Sequence, residues 1–194
     1  RELTQDQLDT CRTTLCEAAT ELFVEQGPEG VTLRALADRV GVSRSTPYRY
    51  FRNKDEILAA VQASAFESFA QVAEAAYKST SDPIERLHAI SEMYINFALE
   101  HPDTYRIMFD FLQRGDYPEL RRQGARAREV LIKTTEEAVE SGHLKGDPKM
   151  LAHVLWSALH GVISLHLVGQ LHWGPSVNDL AKFTVQTVLR GLAT

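Results

Sequence analysis

The sequence is poor in several things that would each announce a chemistry. It has two cysteines in 194 residues, Cys11 and Cys16. Five apart on what reads as one helix, they stand ~140° apart around its axis, so no disulfide joins them without unwinding it, and the spacing matches no metal site. Two buried free thiols are the expectation; they suit a reducing compartment, and with no signal-like N-terminus that compartment is expected to be the cytoplasm. No nucleophile elbow, phosphate loop, metal-binding helix motif or C-x-x-C occurs. An all-helical enzyme would therefore have to assemble its active site from residues that leave no signature, and neither catalysis nor a cofactor is expected. Long apolar runs are scarce too. The most apolar, VLWSALHGVISLHLVG at 154–169, is shorter than the ~20 residues of a spanning helix and contains His160 and His166, so no membrane partner is expected.

Positive charge is in deficit, with a net charge of −5 that argues against a nucleic-acid partner until it is followed along the chain. Residues 31–54 hold Arg34, Arg39, Arg44, Arg49, Arg52 and Lys54 against Asp38, a local balance of +5 that leaves −10 for everything else. One short cationic face on an acidic body favours phosphate at that surface and resists non-specific adhesion elsewhere. Hydrophobic residues at 44% and charged residues at 24% are ordinary for a folded chain.

What the sequence has throughout is helical periodicity. No alternating apolar stretch bounded by turn residues predicts a strand, so the fold class is all-α, with about nine helices. Residues 6–25 carry Cys11, Leu15, Ala18, Ala19, Leu22 and Phe23 at three- and four-residue steps until QGPEG breaks the pattern. Thr32 is placed to cap a helix over 33–40 that ends at Gly41. SRSTPYRYF at 43–51 predicts a further helix with Ser43 as N-cap. Pro47 then stands at the edge of the first turn, where its missing N–H removes at most one helical bond. Val42 against Pro47 reads as a hydrophobic staple, and Pro47 and Phe51 turn toward Leu36 and Val40. Two short helices joined at Gly41, Val42 and Ser43 describe a helix-turn-helix. Its second helix would offer Arg44, Ser45 and Thr46 to base edges in a major groove. Tyr48, Tyr50 and Lys54 fall nearer the phosphates, and Thr32, Arg34, Ser43 and Arg49 complete the candidate DNA contacts.

VTLRALADRVGVSRSTPYRYFRNKDEIL, residues 31–58, resembles the DNA-binding segment of TetR-type bacterial transcriptional regulators. Thr32, Ala37, Gly41, Val42, Ser43, Tyr48, Tyr50, Phe51 and Lys54 fall at that family's places, whereas position 47 more often carries a leucine and 45 a glycine or alanine. The resemblance implies a three-helix DNA-binding head over 1–52 and a helical effector-binding and dimerising body over 53–194. It also implies a homodimer on a palindromic operator, most often a repressor, released by a small-molecule effector. LWSALHGVISL, with Trp156, His160 and Gly161, further resembles the C-terminal class named for a Trp-His-Gly signature.

In the body, Asn53 is placed to cap a long helix reaching about Tyr77, and Asp82 with Pro83 opens another to about 100. Further helices read at 103–113, 118–141, 148–171 and 177–192. The 148–171 helix is apolar almost all round, which predicts cover on two sides. In related regulators the last two helices of each chain form the dimer interface, for which Leu155, Leu159, Val162, Leu180, Phe183 and Val188 are candidates. Candidate effector contacts are Phe66, Met93, Tyr94, Phe97, Met108, Phe109, Leu112 and Trp156, with His160 as polar group; the same residue types at helical spacing also build ordinary cores. His153 and His160 share a face with Trp156 but lack a third ligand, so no metal is expected. A DNA-binding regulator without an effector, and an enzyme that carries a basic patch, are the alternatives the sequence leaves open.

Overall fold

The structure, a computed structural model, describes residues 5–111, 113 and 115–193, with side chains from Thr10 onward. Among the described residues it has eight α-helices: α1 (Gln5–Gly30), α2 (Leu33–Val40), α3 (Lys54–Lys78), α4 (Pro83–Glu100), α5 (Pro102–Phe109), α6 (Pro118–Glu140), α7 (Pro148–Leu167) and α8 (Val177–Leu192). A short 3-10 turn, Pro47–Arg49, stands between α2 and α3.

Local chemistry sets the boundaries. α1 is broken at Gly27, whose φ of 71° a side chain would resist, and Pro28 starts one more turn. Thr32 Oγ1 accepts from the Ala35 N–H at 3.0 Å and so caps α2. At the other end Gly41 adopts φ 73°, and its N–H and that of Val42 both donate to the Ala37 carbonyl, closing the helix in a Schellman arrangement. Asn53 Oδ1 takes the Glu56 N–H at 2.9 Å at the head of α3. Asp82, Asp147 and Ser176 cap α4, α7 and α8 in the same way, with Pro83 and Pro148 in the first turns of α4 and α7.

The chain divides into two compact units, Arg1–Phe66 with Arg106–Gly124, and Glu67–Tyr105 with Ala125–Thr194. The first buries Leu15, Leu22, Phe23, Leu36, Phe51, Ile57 and Val61. It also buries Gln62, whose amide donates to the Met108 carbonyl at 2.9 Å and the Phe111 carbonyl at 3.2 Å, satisfying the end of α5. Cys11 and Cys16 are free but half-buried, not buried as the spacing suggested, because α1 turns that side partly outward; burial raises the Cys16 thiol. In the second unit α7 packs on α4 and α8. Arg86 there pairs with Glu137, donates to the Thr80 carbonyl at 2.7 Å and lies 4.1 Å over the Tyr77 ring, while the Tyr77 hydroxyl donates to Glu137 at 2.6 Å.

α7 starts at Pro148 as expected but ends at Leu167, short of 171; its most apolar 18 residues have a mean hydropathy of 1.4, so the helix is long and apolar enough by length and composition to cross a membrane. Within this chain only 28% of that apolar stretch is buried. Leu151, Leu155, Leu159 and Ile163 form the buried side. Leu155 and Leu159 are therefore core residues and not interface residues: the stripe they share faces α4 and α8 of their own chain. The second cover expected for this helix is not supplied by the described residues.

Candidate functional site

The segment 43–51 is not the α-helix its pattern suggested. The Thr46 N–H donates to the Ser43 carbonyl at 2.9 Å, Arg49 to Thr46 at 3.0 Å and Tyr50 to Pro47 at 3.0 Å, each spanning three residues. The first bond of four residues is Phe51 to Pro47, at 3.0 Å. The cause lies in Pro47, which has no N–H to give the Ser43 carbonyl and whose ring crowds that carbonyl in an α-helix. Ser43 does not cap; its hydroxyl lies 3.0 Å from that of Ser45 and 2.9 Å from that of Thr46. The inward side is as expected: Pro47 and Phe51 are buried, with the Arg12 guanidinium 5.5 Å over the Phe51 ring. Arg44, Ser45, Tyr48 and Arg49 are exposed, and Thr46 is half-buried.

The cations of the segment are not equivalent. Arg39 is held by Glu21 at 3.0 Å and Glu25 at 2.5 Å. Its hydrogen bond pulls the Glu25 carboxyl below the usual range, and those acids push the guanidinium above its own. Lys54 reaches Glu29 at 2.7 Å, Arg52 pairs with Glu56 and Arg34 lies 3.9 Å from Asp38. Glu56 is lowered first by the Arg52 backbone N–H and then by its side chain. Arg44 and Arg49 make no ion pair among the described residues. Sequence reasoning missed the acids; Glu21 and Glu25, four apart and so on one face of α1, were the signal. Thr32 is exposed, its oxygen engaged as the α2 cap. Tyr50 departs from expectation: its hydroxyl is buried beneath the turn, raised by the neighbouring Cys11 thiol and by burial. It therefore cannot act as the outward phosphate contact expected of it.

The candidate effector residues fall in both units. In the first, Phe66 and Phe109 meet edge to face at 5.9 Å and Met108 is buried; Leu112 lies outside the described residues. In the second, Phe69 packs edge to face on Tyr94 at 5.7 Å and Phe97 at 5.2 Å, and Met93 is half-buried. His160 is at the centre of a hydrogen-bonded chain. Tyr94 and Tyr105 hydroxyls are 2.7 Å apart, the Tyr105 hydroxyl is 2.7 Å from His160 Nδ1, and Ser164 Oγ is 3.3 Å from Nε2. Burial, and then Tyr105, push the Tyr94 phenol far up, so it stays protonated. The Trp156 ring lies 5.4 Å from that of His160, and its N–H bonds to Tyr94. Tyr105 and Ser164 were not singled out from sequence, since neither belongs to a motif. His153 bonds to the Lys149 carbonyl at 2.7 Å and touches the cluster only through the edge of Trp156, at 6.5 Å between ring centres.

Of the candidate interface residues, Phe183 is 63% exposed, whereas Val162, Leu180 and Val188 are half-buried. The open apolar stripe of α7 is Val154, Ala158, Gly161 and Leu165, one helical face by spacing, and Val154 and Leu165 are exposed. A Cβ added at Gly161 would meet nothing within 4 Å.

Residues 15–61 match the model for bacterial regulatory proteins of the tetR family, and residues 87–188 match the tetracyclin repressor-like C-terminal domain. The chain belongs to the TetR family of bacterial transcriptional regulators. As a TetR-family member it is a transcriptional regulator with a helix-turn-helix DNA-binding domain, and not an enzyme. It is 31% identical over 102 residues to the transcriptional activator FasR of Mycolicibacterium smegmatis, covering 53% of this chain and 47% of that one, so it spans about half of that relative. It is 24% identical to the transcriptional repressor KstR2 of Mycobacterium tuberculosis, covering 73% and 72% of the two chains. A solved structure of a protein with unknown function from Rhodococcus sp. RHA1 superposes with a TM-score of 0.83 at 27% identity, covering 94% of this chain and 95% of that one. The C-terminal match carries no Trp-His-Gly designation.

Proposed function

We propose that this TetR-family regulator is a ligand-responsive repressor that binds a palindromic operator as a homodimer and is released by a small hydrophobic or aromatic effector. In this reading residues 1–52 are the head and 53–194 the body, and a protein that grips the chromosome works in the cytoplasm. The observation that carries it is the charge pattern of the turn: four of six cations are matched by acids of the chain, while Arg44 and Arg49, exposed beside Tyr48, are left to meet phosphate or base edges. The open stripe of α7 and Phe183 of α8 support the dimer, since an exposed apolar face of this extent on a helix needs a partner. The aromatic shell around Tyr94, Tyr105, His160 and Trp156 supports an effector that is apolar with few polar groups. A regulator without an effector is the second reading, favoured by how fully those polar groups bond to one another.

Selection from a randomised duplex pool tests the first part: the enriched sequence is expected to be an inverted repeat with half-sites spaced about one helical turn, ~34–36 Å, or a multiple of it. A direct repeat or a single half-site would refute the two-fold reading. A thermal-shift screen against hydrophobic and aromatic metabolites tests the second, because a ligand that stabilises the body and belongs to the switch must weaken operator binding by the reciprocal factor. Hits that stabilise without moving operator affinity would favour the second reading.

A further inference from the structure

We infer that Pro47 determines which side chains of the turn read the operator together, and so acts as a specificity-setting residue of this regulator. The inference rests on the reading of residues 43–51 as the operator-contacting surface. In an α-helix of about 3.6 residues per turn, side chains four apart act as neighbours, which would pair Arg44 with Tyr48 and Ser45 with Arg49. The hydrogen bonds here span three residues from Ser43 to Tyr50. With about three residues per turn, side chains three apart line up instead. Ser43, Thr46 and Arg49 then share one line, and Ser45 and Tyr48 share the next. The Ser43 hydroxyl lies 2.9 Å from that of Thr46 and 3.0 Å from that of Ser45, so the alignment rests on the backbone bonds from Thr46 to Ser43 and from Arg49 to Thr46. Within the 3-10 turn Pro47–Arg49 and its end, Pro47 and Tyr50 make the inward line, one buried side chain and one buried hydroxyl, whereas Arg44, three before Pro47 and ahead of the turn, is exposed.

Pro47 itself is buried and does not reach solvent, so its influence on DNA runs through its neighbours: it is a positioning residue. By withholding the N–H that an α-helical register needs at the Ser43 carbonyl, it gives that carbonyl to the Thr46 N–H at 2.9 Å and fixes the tighter pitch. The consequence is that Thr46 and Arg49, not Ser45 and Arg49, present a joint hydroxyl and guanidinium to one base pair or phosphate. Replacing Pro47 by a residue with an N–H restores the α-helical register and exchanges the partners.

The test is a double-mutant cycle in operator affinity, read on the full chain with the duplex enriched from the randomised pool. In the natural chain, Thr46→Ala and Arg49→Ala are expected to be coupled by at least about threefold and Ser45→Ala and Arg49→Ala to be independent within error. In Pro47→Ala the coupling is expected to move to the Ser45 and Arg49 pair, and selection with that variant should change the preferred base at one or more positions of each half-site. Pro47→Leu is the second variant, with its circular dichroism melt run alongside. A merely structural role would lower affinity for all duplexes alike and leave both the selected sequence and the coupled pair unchanged. That outcome overturns the inference. Should both variants fail to fold, the cycle in the natural chain decides alone: Ser45 coupled to Arg49 with Thr46 independent overturns it, and the reverse supports it. A natural chain that enriches no sequence from the pool removes the operator-reading surface itself, a failure distinct from an enriched sequence that Pro47→Ala leaves intact.

Discussion

Phe183→Asp is expected to turn the dimer into a monomer and to lower operator affinity by about a hundredfold or more. The side chain is 63% exposed in the single chain, so a carboxylate there is solvated and the monomer folds. In the dimer the same carboxylate would sit against the apolar stripe of a second copy, and an unpaired charge buried in an apolar interface costs several kcal/mol. The weaker hold on DNA follows from geometry, because two linked heads engage an inverted repeat with an effective concentration that one head cannot match, worth about 10²–10⁴-fold. Leu165→Asp, on the open stripe of α7, should do the same, whereas Leu155→Asp should unfold the chain, because Leu155 is 2% exposed within its own unit. Sedimentation separates these outcomes. A Phe183→Asp, Leu165→Asp double variant that still sediments as a dimer would move the interface elsewhere.

Arg86→Ala should be the most destabilising single change in the second unit outside its apolar core. The side chain is 10% exposed, pairs with Glu137, donates to the Thr80 carbonyl and covers the Tyr77 ring. Removing it leaves the Glu137 carboxylate, 28% exposed, with Tyr77 as hydrogen-bond donor but without its guanidinium, and strips the carbonyl of its donor. Breaking a mostly buried pair from one side costs about 3 kcal/mol, which at this chain length lowers the melting midpoint by roughly 6 to 12 °C. Arg86→Lys should recover only part of this, because a point charge cannot serve Glu137 and Thr80 at once. A fall of less than about 2 °C for Arg86→Ala would mean that the cluster is solvated and contributes as little as a surface pair.

The helices were legible because most of their ends are written in single residues: Thr32, Asn53 and Asp82 cap where they were expected to act and Asp147 caps just before Pro148, whereas Ser176 was not singled out. The pitch of 43–51 was not legible. Both registers place Pro47 inward and Ser45 and Arg49 outward, so residue types and their spacing do not show that the Ser43 carbonyl, which Pro47 cannot serve, is taken by the Thr46 N–H. Two of the α7 residues expected at an interface, Leu155 and Leu159, are buried within the chain instead. That helix is apolar on nearly every side, so periodicity could not tell the stripe that meets α4 and α8 from the one left open; only packing separates Leu155 and Leu159 from Val154 and Leu165. The acids that hold Arg39 and Lys54 sit in α1 and just beyond its break, distant in sequence from the cations they hold. Net local charge therefore overstated what is available to DNA. Tyr105 joined Tyr94 and His160 through a tertiary hydrogen bond of 2.7 Å that no spacing announces.

Everything proposed for this regulator on DNA runs through Arg44 and Arg49, the two cations of the turn that no acid of the described residues holds. The deciding measurement is fluorescence anisotropy of the natural chain and of the Arg44→Ala, Arg49→Ala variant on one duplex across a salt series. Binding should weaken as salt rises, and removing both arginines should flatten the slope of log affinity against log salt by about two units, roughly one for each phosphate that is no longer neutralised. Lys54→Ala, whose amine is held by Glu29, should flatten it by less. An unchanged slope in a folded double variant, or a larger effect from Lys54 than from the arginines, would place the DNA-binding surface away from the turn.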